Sequence, residues 1–146
     1  MTRFELDDIV EVLGGTKVIR KKLQNRNDFI QLSHAGIPKI SLFKLAEKLD
    51  SSVADIAKLV PVSVRTIQRK GRNDPFNKLI SERILTIAEV VARGDQVFED
   101  RGKFLAWLHQ PSVALGNKTP FSLLDSKYGA DMVLDELGRI EYGIVA

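Results

Sequence analysis

The longest apolar period in the chain is the run ERILTIAEVVARGDQVFED (82–100), where Ile84, Ile87, Ala88, Val91 and then Phe98 recur at helical spacing. That spacing keeps one side of an α-helix apolar and fits no strand, whose faces alternate every second residue. The period continues through Gly94, which reads as an interior glycine tolerated at about 1 kcal/mol relative to alanine. The rest of the chain repeats the pattern in shorter pieces, punctuated by residues that start or stop helices, and no stretch reads as a convincing strand. The expectation is an all-α fold.

From the amino end, a first helix is predicted near Glu5–Leu13, ended by Gly14-Gly15, and a second from Thr16 to about Gln24. Asn25 or Asn27 caps a third, DFIQLSHA, closed by Gly36. Ile37-Pro38 forces an extended connection, because the residue before proline avoids the α region, and Ser41 is expected to cap LFKLAEKL. Ser52 caps VADIAKLV, with Asp55 suited to the positive end of the helix dipole. Ser63 caps VRTIQRK, which Gly71 ends. RNDPFNK reads as a linker, so the domain boundary is placed at Asp74-Pro75, dividing 1–74 from 75–146. After the long helix, a short one carries FLAWLH, and Thr119 and Pro120 open PFSLLD. A last helix holds Ala130, Val133, Leu134, Leu137 and Ile140 on one face.

The net charge of +3 over 146 residues identifies no partner, but its distribution is uneven. Residues 1–75 carry 14 Lys and Arg against 9 Asp and Glu; residues 76–146 carry 8 against 10. Lys17–Arg26 and Lys58–Arg72 each hold five cations and no acid. A basic half joined to a mildly acidic one points to two partners of different chemistry. For Lys17–Arg26, a solvated surface and a nucleic-acid contact both stay open.

Cysteine is absent and His34 and His109 stand far apart, so there is no pattern for a metal site, a thiolate nucleophile or a Ser/His/Asp centre. GGTK (14–17) lacks the glycine spacing and preceding strand of a phosphate loop. The expectation is a non-enzymatic protein without cofactor or metal. No apolar run approaches the roughly 18 residues that span a bilayer, and the start MTRFELDDIVEVLGG is acidic where a signal peptide is basic, so a cytoplasmic location without a membrane partner is expected.

The stretch IAKLVPVSVRTIQRKG (56–71) stops one helix at Val60 and restarts another within three residues. Two short helices joined this way make a DNA-reading motif, in which the first braces and the second enters the major groove. Ala57 is the small residue where the helices approach, and Ile56, Val60, Val62, Val64 and Ile67 lock the pair to the domain. Ser63, Arg65, Thr66, Gln68, Arg69, Lys70 and Arg72 are the candidate DNA contacts. Arg65 and Gln68 suit base edges, whereas Lys58, Lys70 and Arg72 suit phosphate. The alternative is a helical hairpin with a solvated basic face. Pro61 stands where such turns often carry glycine, so this turn must be built differently.

The carboxyl half, WLHQPSVALGNKTPFSLLDSKYGADMVLDELGRIEYGI (107–144), resembles the toxin-binding domain of the Xre/MbcA/ParS antitoxin family, through Trp107-Leu108, Pro111, Ala114-Leu115-Gly116, Thr119-Pro120, Gly129, Leu137-Gly138-Arg139-Ile140 and Tyr142-Gly143-Ile144. GIPKISLFKLAEKLDSSVADIAKLVPVSVRTIQRK (36–70) resembles the Xre-like helix-turn-helix that precedes it in that family. Asn117 and Glu99 stand where the family often has glycine. The resemblance implies a helix-turn-helix bundle followed by a small helical toxin-binding domain. It also implies a type II antitoxin whose partner is a RES-domain toxin acting on NAD+, covered at its active site, while the helix-turn-helix represses the shared promoter; that a dimer reads a palindromic or repeated operator is the geometric expectation. Arg139, Glu141, Tyr142, Ile144 and Val145 are the candidate toxin contacts once the core is filled; the apolar tail either inserts into a partner's cleft or packs back on its own domain. A stand-alone transcription regulator with a C-terminal dimerisation domain is the rival expectation.

Overall fold

A 21-residue helix, α6 (Lys78–Phe98), is the axis of the molecule. Its Ile84, Ile87, Ala88, Val90 and Val91 are fully buried, which is more of the helix circumference than a single apolar stripe covers. Such a helix needs neighbours on several sides, and it has them: α1 (Arg3–Val12), α2 (Arg26–Ala35) and α3 (Lys39–Lys48) pack against it from the amino half. From the carboxyl half come α7 (Arg101–Leu108) and α8 (Lys127–Glu141). Between them in sequence lie α4 (Val53–Leu59) and α5 (Val64–Arg69), and two 3-10 turns at Val113–Leu115 and Phe121–Asp125 precede α8. The computed structural model describes residues 3–143, and among them the fold is all-α, with only two isolated bridges, Pro38 with Pro75 and Ser112 with Lys118.

Three helices start at their predicted caps, while Asn77, Asp100 and Ser126 cap α6, α7 and α8 without having been expected to. Asn25 accepts from the N–H of Asn27 and forms a capping box with Asp28 at α2, and Ser52 and Ser63 accept from Asp55 and Thr66 N–H groups at α4 and α5. Gly94 is interior to α6, and Phe104 of α7 lies where its Cβ would be, so the glycine is what lets α7 approach. Glu99 and Asn117 both adopt positive φ, +55° and +65°, the left-handed conformation that glycine would take there.

Five expectations fail. No helix forms at Thr16–Gln24. Gly14 and Gly15 end α1 in a Schellman motif, with Gly15 N–H donating to Val10 O and Gly14 N–H to Glu11 O, and the chain then makes one turn and runs irregularly. Thr16, Val18 and Ile19 are β-branched, Lys17 and Lys21 would repel across one turn, and only Ile19 and Leu23 are buried. Ser41 is no cap: α3 begins earlier, because the carbonyls of Asp74 and Arg72 accept from the Lys39 and Ile40 N–H groups, while buried Ser41 donates to Leu13 O. The same bonds make 71–76 a pinned connection rather than a loose linker. Gly71 does not end α5, which stops at Arg69 with Lys70 extended; Gly71 instead donates to the Asp74 carboxylate. PFSLLD forms a 3-10 turn, though Thr119 does accept from Ser122 N–H.

Candidate nucleic-acid and partner interfaces

The turn between α4 and α5 solves the proline problem. Val62 N–H donates to Val60 O at 2.7 Å, two residues back, closing an inverse γ-turn around Pro61. Proline's fixed φ suits that turn, so no positive φ is needed. Ile56 and Leu59 of α4 and Ile67 of α5 are buried, and Lys39 Nζ on α3 donates to Lys70 O at 2.8 Å, tying the end of α5 to the bundle.

With Ile67 inward, Arg65, Thr66, Gln68 and Arg69 are all exposed, and Arg72 follows just beyond. Among the described residues, the guanidiniums of Arg65, Arg69 and Arg72 have no ion-pair or hydrogen-bond partner. Ser63 is occupied as the cap, donating to Thr66 Oγ1 at 2.9 Å while accepting the Thr66 N–H. Lys70 is held by its own chain: Nζ donates to Pro75 O at 3.0 Å and lies 5.5 Å from the Phe76 ring centroid. Lys58 pairs weakly with Asp55 at 3.8 Å. A free, cationic, partly amide-bearing helix face is therefore presented by Arg65, Gln68 and Arg69.

The second surface is on α8. Ala130, Val133 and Leu137 are fully buried against α6 and the 121–125 turn. Gly129 allows this contact, because a Cβ there would collide with the Leu123 carbonyl. The opposite face carries Tyr128, Met132, Asp135, Arg139 and Tyr142, each three or four residues from the last. Tyr128 is 86 % exposed, Met132 44 % and Tyr142 76 %, three large side chains along one stripe.

Two expected toxin contacts are engaged within the chain. Arg139 Nε donates to the buried carboxylate of Glu136 at 2.8 Å, and Glu141 accepts a two-pronged bond from Arg93 on α6 at 2.8 and 2.9 Å. Glu141 thereby clamps the end of α8 to α6. Ile144 and Val145 lie outside the described residues. Tyr128 and Met132 were not among the expected contacts; counting the α8 face opposite Ala130, Val133 and Leu137 would have found them.

Among the described residues no group of three or more His, Cys, Asp or Glu could hold a metal ion, and no helix is long and apolar enough to cross a membrane. His109 packs against Phe121 with ring centroids 4.8 Å apart.

Two family models match. Residues 28–89 match the antitoxin Xre-like helix-turn-helix domain, and residues 93–143 match the antitoxin Xre/MbcA/ParS C-terminal toxin-binding domain. The two matches meet within α6. The chain is 30 % identical over 113 residues to Antitoxin Xre of Photorhabdus laumondii, covering 76 % of each protein. It is 33 % identical over 93 residues to Antitoxin Xre of Yersinia enterocolitica, covering 62 % of this chain but only 63 % of that protein. A third similar protein is the Prs ADP-ribosylating antitoxin of Sphingobium sp., 32 % identical over 91 residues, covering 56 % of this chain and 57 % of that one.

Proposed function

The chain belongs to the Xre family of antitoxins, with a helix-turn-helix and a C-terminal toxin-binding domain, and from that premise we propose that it neutralises a RES-domain, NAD+-consuming toxin by covering its active site and represses its own operon. It acts by binding and is not an enzyme. The carrying observation is the pairing of two recognition surfaces on one chain: the free cationic face of α5 and the exposed Tyr128–Met132–Tyr142 stripe of α8. Aromatic and methionine side chains in such a stripe are the residue types enriched where proteins bind one another. The similar Sphingobium protein carries ADP-ribosylation in its name, a reaction that consumes NAD+, which favours a nucleotide-cleaving partner here.

Occlusion assigns the end of α8 and the residues after it, Tyr142–Ala146, to the toxin's cleft. The functional division lies at Asp74-Pro75, ahead of the shared α6. A dimer reading two half-sites is the geometric form that operator recognition takes.

Co-purification with the product of the adjacent reading frame, followed by NAD+ consumption with and without this protein, tests the reading. The expected result is stoichiometric suppression, lost on removal of Tyr142–Ala146 and weakened by Tyr128→Ala with Met132→Ala. The truncation keeps the Arg93–Glu141 clamp, so it leaves α8 in place. NAD+ turnover that continues in a formed complex would refute occlusion.

A further inference from the structure

The basic segment Lys17–Arg26 precedes the residues matched as helix-turn-helix, and its cations divide into two sets. Lys21 donates to Gln31 on α2, and Arg26 pairs with Glu89 on α6 at 3.4 Å. Lys17, Arg20 and Lys22 are exposed and, among the described residues, have no partner, Lys22 standing apart from Lys17 and Arg20. Lys17 and Arg20 line a groove of about 490 Å³ whose other walls include Pro38, Ile40, Arg72 and Asn73, with no acidic residue. Residues far apart in sequence therefore bring three unpaired cations to one concavity.

We infer that Lys17, Arg20 and Arg72 form a phosphate-binding groove that grips the DNA backbone flanking the bases read by α5. The inference rests on the DNA-binding reading above and extends it to a segment outside the helix-turn-helix. Three like charges converging without a counter-charge repel one another, and a polyanion relieves that repulsion. Both sides of the groove are anchored to the bundle: Ile19, next to Arg20 in sequence, is buried, and the Arg72 carbonyl accepts from Ile40 N–H at 3.0 Å. Arg72 joins the groove to α5, which ends three residues earlier, so one duplex engages both. Contacts of this kind supply affinity without sequence information.

The test uses the full chain, a duplex carrying its own promoter region and a scrambled duplex of equal length. Affinities are measured from 50 to 200 mM salt. Each lost phosphate contact lowers the slope of log K against log salt by about 0.9, so Lys17→Gln with Arg20→Gln should lower it by about 1.8. The wild-type advantage over this variant should then shrink about 12-fold across that salt range. Both duplexes should weaken equally, leaving the preference for the promoter unchanged. Lys103→Gln with Lys118→Gln removes the same charge from exposed sites outside the groove and should leave the slope unaltered. Should the double variant lose its far-UV circular dichroism, the single variants serve, each expected to lower the slope by about 0.9.

An unchanged slope in the groove variant, with the wild-type chain binding, overturns the groove and spares the DNA reading. Equal flattening by the control pair also overturns the groove, because net charge would then explain the effect. Failure of the wild-type chain to bind either duplex overturns both readings.

Discussion

Alanine at the two glycines of α8 should move stability in opposite directions. Gly129 lies in the first turn, where an added Cβ would fall on the Leu123 carbonyl, 2.8 Å from its carbon. That obstacle is backbone, so it yields only if the 121–125 turn moves away from α8. Overpacking of this kind costs about 1–3 kcal/mol. Alanine's helix propensity returns up to about 1 kcal/mol. With the full propensity gain subtracted, Gly129→Ala should still cost up to about 2 kcal/mol, or up to about 8 °C in Tm for a chain of this size. Gly138 stands in the same helix with nothing within 4 Å of an added Cβ. Only the propensity and unfolded-state gains remain, so Gly138→Ala should stabilise by about 0.5–1 kcal/mol and raise Tm by about 1–4 °C. Thermal melts and urea titrations of both variants, with m unchanged, provide the comparison. A rise in Tm for Gly129→Ala would show that α8 does not sit on the 121–125 turn as described, and a fall for Gly138→Ala that the space beside Gly138 is not open.

Ile67→Ala removes the one fully buried side chain of α5 and should destabilise by about 2–4 kcal/mol, with loss of amide protection concentrated in α5 and of promoter binding. Arg65→Ala and Gln68→Ala should each erase about 1–3 kcal/mol of discrimination between promoter and scrambled duplexes, measured by competition; uniform weakening on both would reassign them to phosphate. The Gln24 N–H, then the Asn25 N–H, donates to Asp28 and holds its carboxyl below the ordinary value of 3.8. Because the folded value is the lower one, the stabilisation of the α2 amino end is present above pH 3.8 and fades as pH falls through the folded value. An NMR titration should find Asp28 titrating below 3.8 with fraying of α2 at the same pH; a value above 3.8 contradicts the capping box.

The helices and the caps of α2, α4 and α5 were legible because their causes are local. Ser52, Ser63 and Asn25 act on N–H groups two or three residues away, and the α6 period needs no partner to be read. Thr16–Gln24 misled because spaced apolar residues signal burial as well as helix: Ile19 and Leu23 are indeed buried, but in irregular chain. Ser41 misled because the true cap of α3 is a pair of carbonyls more than thirty residues downstream.

On its own, the order of residues determined the all-α class, the two-helix DNA-reading motif and the family resemblance. Tertiary structure alone decided which charges are free. Glu141 is drawn into a pair with Arg93 on another helix, Lys70 is folded onto Phe76, and Lys17 and Arg20 meet Arg72 unpaired. The physical reason is range: capping and periodicity act within a turn or two, whereas the partner of a charge is whatever long-distance packing brings within a few ångströms.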